Sequence, residues 1–362
     1  MKIAVIKETR EFEERVSCTP EIVKKFINIG FKVSVQSDAG ISSSYYDNDY
    51  KNSGAEIVKS EKSLLSNADL IFAIVRPNIK LLKLFKKGSI LVCQMETYIN
   101  SNELKDIAKL GITCFALEQV PRISRAQSMD VLSSQSNLAG YRAVIEASQI
   151  YRKAFPMMMT AAGTIPPARV LVMGAGVAGL QAIATAKRMG AIVFATDVRM
   201  ASKEQVESLG GKFLTVEGSE NLETEGGYAK EASEDFKKKQ EDLLAETLKK
   251  INIVVCTALI PGKKAPIIIK DIMIEKMQPG SIIYDLAAVQ GGNTSFTEVD
   301  KVINRNGVKI MGDTNILNKL PSSASNLYAK NLFNFVLNLF NKEEKKIKIN
   351  LEDEIIEKTL VK

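Results

Sequence analysis

Histidine is absent from the 362-residue sequence. Imidazole is the usual general acid or base near neutral pH and the commonest metal ligand in proteins. Mechanisms that depend on histidine are therefore excluded. A zinc site would have to use scattered cysteines and carboxylates, so no metal is expected.

Cysteines are few, and long hydrophobic runs are missing. The four cysteines (Cys18, Cys93, Cys114 and Cys256) form no Cys-x-x-Cys pair, which is typical of a reducing cytosol and of a chain without disulfides. No apolar run approaches the roughly 18 residues that span a bilayer. The first residues resemble a strand rather than a signal peptide. We therefore expect a cytoplasmic protein without direct membrane insertion.

The chain carries a formal net charge of +7, with lysine and glutamate scattered along its length. This pattern favours a lysine-rich solvated surface over a nucleic-acid interface. One small basic cluster lies at residues 342–348. It either faces an acidic partner or a membrane surface, or it forms a solvated linker, and the linker is the simpler interpretation.

Short apolar segments typical of buried strands alternate with stretches of helical spacing. The predicted strands are 2–6, 32–36, 70–75, 90–94, 113–117, 169–173, 192–196, 251–257, 281–286 and 308–311. The predicted helices include 20–29, 102–110, a long helix over 133–155 and a final helix over 322–340. Residues 157–164 lie between the two series and are predicted to be extended, with a glycine turn.

The length exceeds the roughly 250 residues at which single cores stop growing, which indicates two domains. The alternation predicts an α/β fold with two doubly wound, parallel-sheet (Rossmann-like) domains, a cleft between them and long helices joining them. We expect the final helix to return to the first domain. That domain then comprises residues 1–132 and 313–362, and the second comprises residues 133–312.

A Gly-x-Gly-x-x-Gly motif follows the predicted strand 169–173 and consists of Gly174, Gly176 and Gly179. The first glycine permits a tight turn, the second lets the backbone approach a pyrophosphate, and the third lets helix and strand pack closely. Asp197 ends the next strand, where a carboxylate accepts hydrogen bonds from ribose hydroxyls and repels a 2′-phosphate. The motif predicts NAD binding. The competing interpretation is a glycine turn in an unrelated α/β protein.

Arg199 complicates this cofactor preference. An arginine near the ribose can accept a 2′-phosphate, which would favour NADP. Alternatively, its side chain lies along the adenine. Because Asp197 is present, NAD is the preferred interpretation.

The segment 121–137 is rich in arginine, glutamine, aspartate and serine and follows an apolar strand. It is either a capped loop that enters the long helix, with its serines bonded to backbone, or a polar ligand site at the carboxyl end of a strand. None of its side chains is an obvious proton shuttle at neutral pH.

Several blocks of the sequence resemble the soluble NAD(H)-binding component of proton-translocating nicotinamide nucleotide transhydrogenase, and together they cover essentially the whole chain. In some members of this family the alpha subunit is split into two separate chains. This sequence resembles the first of those two chains. The blocks are residues 122–140, 157–167, 174–187, 196–199, 204–212, 226–231 and 257–262.

This resemblance implies direct hydride transfer between NADH and NADP⁺, coupled to proton movement through separate membrane subunits. It assigns the nicotinamide-site loop to Arg122, Gln127, Asp130 and Ser133. It assigns further dinucleotide contacts to Val177, Asp197, Val198, Arg199, Gly227, Gln240 and Leu259. Such a reaction needs correct positioning of the two nicotinamide rings and exclusion of water rather than an acid or a base. This agrees with the absence of histidine.

The resemblance also implies partners. In the family this component is a homodimer that docks onto an NADP(H)-binding beta subunit and, through a membrane-spanning subunit, lies peripheral to the inner membrane. The polar stretch 217–234 contains Tyr228 beside Gly227. From composition it is a solvated acidic loop, whereas the resemblance makes it a lid over bound nucleotide.

Two other functions compete with this one. The chain also resembles alanine dehydrogenase, and Arg15 falls where that family binds the substrate carboxylate. Gln94, Ala73 and Val289 stand where its catalytic histidine, substrate-binding lysine and catalytic aspartate are expected, and Ala73 and Gln94 are predicted to lie in the cleft of the first domain. The third candidate is a non-catalytic NAD(H)-sensing module.

Overall fold

The computed structural model describes residues 1–98, 101–216, 234–259 and 262–361. The chain forms two compact units. The first comprises Met1–Gln135 and Leu317–Lys362, and the second comprises Ser136–Ile316. The first of the two boundaries falls within helix α6 (Val131–Ile150).

The first unit begins with alternating strands and helices. In chain order these are β1 (Lys2–Val5), α1 (Pro20–Asn28), β2 (Lys32–Gln36), α2 (Asp47–Asn52), β3 (Glu56–Val58), α3 (Glu61–Leu65), β4 (Leu70–Val75), α4 (Ile79–Leu82), β5 (Ile90–Gln94), α5 (Ser101–Ala108) and β6 (Thr113–Ala116). The strands pair in parallel in the order β3-β2-β1-β4-β5-β6. Every residue of β4 is buried, as expected for a central strand covered on both faces.

The second unit contains another doubly wound sheet. Its elements after α6 are β7 (Met158–Thr160), β8 (Gly163–Ile165), β9 (Arg169–Met173), α7 (Val177–Arg188), β10 (Ile192–Thr196), α8 (Ser202–Ser208), β11 (Lys212–Phe213), α9 (Glu234–Leu248), β12 (Ile253–Cys256), α10 (Asp271–Glu275), β13 (Ile282–Asp285), β14 (Val302–Arg305) and β15 (Val308–Met311). The sheet order is β11-β10-β9-β12-β13-β15-β14, and β14 pairs antiparallel with β15. The order reverses between β9 and β12, where open α/β sheets bind ligands at their carboxyl ends.

The chain then returns to the first unit. The returning elements are α11 (Pro321–Leu339), β16 (Phe340–Asn341), β17 (Lys346–Ile347) and α12 (Glu354–Thr359). Helix α11 buries Leu332, Phe335 and Val336 in the core of that unit, and the ring of Phe335 lies 5.5 Å from that of Phe115 on β6. The return is therefore part of the hydrophobic core rather than a surface addition.

The predicted doubly wound α/β fold is confirmed, with local differences. The long helix spans Val131–Ile150 rather than residues 133–155. The extended segment after it is a hairpin of β7 and β8. The three edge strands β3, β11 and β14 were not predicted. Within the described ranges, every helix is too short or too polar to cross a membrane.

Glu8 follows β1 and accepts hydrogen bonds from the backbone N–H groups of Ile74 at 2.6 Å and Val75 at 3.5 Å. Burial raises the pKa of Glu8 from its ordinary value of 4.5 to about 8, against the opposing effect of these bonds. Between pH 4.5 and 8 the unfolded chain therefore carries a carboxylate at this position while the folded chain keeps the proton. Rising pH thus favours unfolding through this group.

We expect Glu8→Gln to remove this dependence. From pH 5 to pH 8 the variant should gain stability relative to the wild type by on the order of 1–3 kcal/mol. Urea unfolding at several pH values measures the difference, with the exposed Glu14→Gln as control. Parallel pH profiles for wild type and Glu8→Gln would contradict the prediction.

Candidate functional site

The glycine motif forms the turn between β9 and α7. Gly174 has φ +93°, a conformation that glycine adopts without strain. A Cβ on Gly179 would lie 1.8 Å from the carbonyl oxygen of Gly174, so only glycine allows the helix to pack this closely on the turn. A Cβ on Gly176 would meet nothing within 4 Å. The turn is therefore tight on its inner side and open at Gly176.

Thr257, directly after β12, holds this turn from the neighbouring strand. Its hydroxyl lies 2.9 Å from the carbonyl oxygen of Gly174 and 3.0 Å from that of Met173, and it donates to one of them at a time. Its own N–H donates to the carbonyl of Met173 at 2.8 Å. Thr257 was not predicted as a site residue. A polar residue at the end of a fully buried strand is the signal that marks it.

Asp197 lies at the carboxyl end of β10, and its side chain is only 6% exposed. One carboxylate oxygen accepts the backbone N–H and the Nε–H of Arg199, both at 2.9 Å. The other accepts the N–H of Ala175 at 2.6 Å and Nη2 of Arg199 at 3.0 Å. The carboxylate thus ties β10 to the glycine turn.

Four donors match the four lone-pair positions of a carboxylate. Burial raises the pKa of Asp197, but hydrogen bonds from the side chain and backbone of Arg199 and from the Ala175 N–H outweigh it, so the pKa lies below its ordinary value. Asp197 is therefore ionised at neutral pH. A ribose hydroxyl that bonds to it must share or replace a donor of Arg199.

The other predicted dinucleotide contacts that the structure describes lie on or directly after elements of the second unit. Val177 begins α7 and is 42% exposed, and Leu259, just after β12, is 38% exposed. Val198 is half-buried between Asp197 and Arg199, and Gln240 is half-buried on α9. Gly227 and Tyr228 lie outside the described residues, as does all of the predicted lid 217–234 except its last residue, which begins α9.

The predicted nicotinamide-site loop belongs to the first unit. Ser124–Met129 forms a short 3₁₀ helix, and both Arg122 and Gln127 are exposed. Asp130 precedes α6 and accepts the backbone N–H of Ser133 at 2.9 Å and its hydroxyl at 2.5 Å. Asp130 and Ser133 therefore meet as the N-cap of α6, while the two exposed side chains extend from the loop before it.

Arg15 is the residue that pointed to alanine dehydrogenase, whereas Gln94, Ala73 and Val289 depart from the pattern of that family. Arg15 is buried in a bidentate ion pair with Glu13, with distances of 2.7 and 2.6 Å, and also donates to Gln135 at 3.0 Å. The prediction that Ala73 lies in a cleft was wrong, because it is fully buried within β4. Successive strand residues point to opposite faces, and every position of this central strand is covered.

The carboxyl edge of the first sheet does contain a cavity of about 530 Å³, lined by Val75 at the end of β4, by loop residues that follow the strands and by residues of α4 and α5. They include Glu8, Arg10, Arg76 and Glu96, and Ala73 and Gln94 are not among them. Val289 follows β13 and is 64% exposed.

Comparison with known proteins gives a consistent result. The family models for the N-terminal and C-terminal domains of alanine dehydrogenase/PNT match residues 4–139 and 143–362. The chain is 51% identical to the first portion of the split NAD(P) transhydrogenase alpha subunit of Rhodospirillum rubrum, over 100% of this chain and 96% of that protein. It is 30% identical to the alanine dehydrogenase of Methanococcus maripaludis, over 83% of this chain and 75% of that protein.

Solved structures agree with the sequence comparison. The crystal structure of transhydrogenase from Sinorhizobium meliloti superposes with a TM-score of 0.91 at 44% identity, over 99% of this chain and 98% of that one. The similarity is thus greater to transhydrogenases than to alanine dehydrogenases, and it extends through both units.

Proposed function

Because the chain belongs to the alanine dehydrogenase/PNT family, we propose that it is the NAD(H)-binding component of a proton-translocating transhydrogenase. In this proposal, hydride passes directly between NADH on this chain and NADP⁺ on a partner subunit. The observation that carries the proposal is the turn at Gly174–Gly179 with Asp197 bonded across it. The 51% identity to a transhydrogenase alpha subunit supports the same reaction.

The residues present fit a dinucleotide. Gly176 is the N-cap of α7 and has no side chain, so no side-chain cap bonds the first N–H groups of that helix. Those N–H groups and the positive end of the helix dipole suit a pyrophosphate, and the open space at Gly176 admits one. Asp197 would bind the adenosine ribose, with Val177, Val198, Arg199 and Leu259 beside it. The second unit is thus the proposed NAD(H) domain.

The proposed mechanism uses position rather than proton transfer. NADH supplies the hydride when bound. Arg122, Gln127, Asp130 and Ser133 of the first unit would orient the carboxamide and ribose of its nicotinamide half and exclude water. The side chain of Asp130 is held by two hydrogen bonds from Ser133. Precise placement of two reacting rings can supply much of the rate enhancement of such a reaction.

The proposal includes partners that this chain lacks. An NADP(H)-binding beta subunit would provide the second nucleotide, and a membrane-spanning subunit would couple hydride transfer to proton movement. A homodimer of this chain would dock on them at the cytoplasmic side of the inner membrane. Dimerisation is measurable by light scattering of the purified protein.

Titration with NADH and NADPH separately, followed by nucleotide fluorescence, tests the site. We expect wild type to prefer NADH. Asp197→Asn should weaken NADH binding about 10- to 100-fold, because hydrogen bonds to a charged acceptor contribute roughly 1.5–3 kcal/mol. The control is Glu207→Gln, an exposed acid on α8. A preference for NADPH, or unchanged NADH affinity in Asp197→Asn, would overturn the proposal.

A further inference from the structure

The loop of residues 122–133 (the 122–133 loop) is held by the segment that returns at the end of the chain. Asn331 on α11 is 8% exposed and uses both ends of its amide. Its Nδ2 donates to the carbonyl of Ser128 at 2.8 Å, and its Oδ1 accepts the hydroxyl of Ser134 at 2.6 Å. Ser128 and Ser134 flank Asp130, so one buried side chain fixes the turn at Asp130 from both sides.

A second contact holds the outer part of the same loop. Arg125 forms a bidentate ion pair with Asp353, with distances of 2.7 and 2.8 Å, and its Nη1 also donates to Asn338 at 3.2 Å. Asp353 in turn caps α12 by accepting the N–H of Ile355 at 2.9 Å. The hydrogen bond from Arg125 holds the pKa of Asp353 well below its ordinary value, so the pair persists throughout the neutral range.

These contacts connect parts of the chain that are 203 and 228 residues apart in sequence. The loop they hold carries the exposed side chain of Gln127, which lies between Arg125 and Ser128 and so takes its position from the backbone that these two residues anchor. Loop backbone ordered by a buried amide loses less freedom when substrate arrives, and a displacement of about 1 Å can cost 100-fold in rate. The position of the loop therefore depends on α11 and α12.

We propose that Asn331 and Asp353 are positioning residues for hydride transfer, which hold the 122–133 loop in the geometry that the nicotinamide half of NADH requires. This inference rests on the proposed function. Neither residue lies in the unit that carries the glycine turn. Their loss is therefore expected to change the rate of transfer and to leave NADH affinity almost intact.

The test compares Asn331→Asp with Asn334→Asp. Asn331→Asp keeps the size of the side chain and the oxygen that accepts the Ser134 hydroxyl. It replaces the N–H donor to the Ser128 carbonyl with a second oxygen. Asn334, on the same helix, reaches that carbonyl at 3.2 Å from a position accessible to solvent, so its variant can turn towards water. Single-turnover hydride transfer to an NADP(H)-binding transhydrogenase component gives the rate, fluorescence gives the NADH dissociation constant, and circular dichroism gives the melting temperature.

For Asn331→Asp we expect a rate at least about tenfold lower and an NADH dissociation constant within about twofold of wild type. Asn334→Asp should stay within about twofold in both. Arg125→Ala should also slow transfer, and Arg125→Lys should recover part of the rate because it keeps the charge but not the bidentate geometry. The ion pair of Arg125 is at the surface, so the Arg125 variants are expected to fold. They provide the test if Asn331→Asp does not fold.

An unchanged rate in folded Asn331→Asp and in Arg125→Ala would overturn the inference. So would a rate loss that is matched by an equal loss of NADH affinity. A wild type that transfers no hydride contradicts the proposed function instead. If Gln127→Ala slows transfer while Asn331→Asp and Arg125→Ala do not, the proposed function stands and the positioning role fails.

Discussion

Gly179→Ala is expected to abolish measurable NADH binding and to destabilise the protein by about 3 kcal/mol. The added methyl carbon would lie 1.8 Å from the carbonyl oxygen of Gly174 and 3.2 Å from the hydroxyl of Thr257. The first contact is with backbone, which cannot rotate away, so α7 must move off the turn. Overpacking of a well-packed site commonly costs about 1–3 kcal/mol and here also displaces the N–H groups proposed to bind the pyrophosphate.

Gly176→Ala is the matched control, because the same change three residues earlier meets no atom within 4 Å. Its melting temperature should remain close to that of wild type. NADH binding should still weaken, since the methyl group occupies space that the proposed pyrophosphate needs. Thermal unfolding and NADH fluorescence separate the two effects. A Gly179→Ala protein with wild-type stability and affinity would show that the turn can relax, and it would remove the geometric basis of the site.

The fold could be predicted largely because its central strands are buried on both faces. Continuous apolar segments such as 70–75 and 90–93, rich in β-branched residues, are typical of central strands in a parallel sheet. The edge strands lack this signal. β14 is mostly exposed and was missed, although Asn306 and Gly307, with φ of +49° and +82°, form the turn to β15. An Asn-Gly pair between apolar stretches is a hairpin signal that would have located it.

The site was predictable only where the chemistry is local. The glycine spacing and Asp197 follow from a single strand–helix–strand unit. Thr257 is far along the chain, and its contact with Gly174 depends on the pairing of β12 with β9. Gly140 also went unnoticed, although a Cβ there would lie 2.0 Å from the carbonyl oxygen of Ala178. Sequence spacing does not reveal which distant backbones come this close.

Asn331 shows the same limit more clearly. On α11 it lies among apolar residues of helical spacing, where an asparagine suggests no more than a half-buried polar position. Its two hydrogen bonds reach the 122–133 loop and the first turn of α6, a region for which the sequence left two interpretations open: a capped loop or a ligand site. The capping contact between Asp130 and Ser133 is present in the structure. This contact fixes the loop without using the side chain of Gln127. The segment can therefore cap α6 and also contribute to a ligand site.

Gln127→Ala is expected to reduce hydride transfer about 100-fold while NADH affinity and melting temperature change little. The side chain is exposed, and within the described residues it makes no intramolecular hydrogen bond, so its removal costs little folding free energy. If it orients the nicotinamide carboxamide, its loss affects the placement of the reacting carbon, to which the rate is far more sensitive than the affinity.

The assay is single-turnover transfer to an NADP(H)-binding partner, with the exposed Gln205→Ala on α8 as control. Asp130→Asn is a less selective probe, because it also weakens the cap of α6 by about 1 kcal/mol. A Gln127→Ala protein that transfers hydride at the wild-type rate would exclude the 122–133 loop from the reaction. The glycine turn would then serve only to bind NADH, without hydride transfer to an acceptor. That outcome is what the hypothesis of an NAD(H)-sensing module requires.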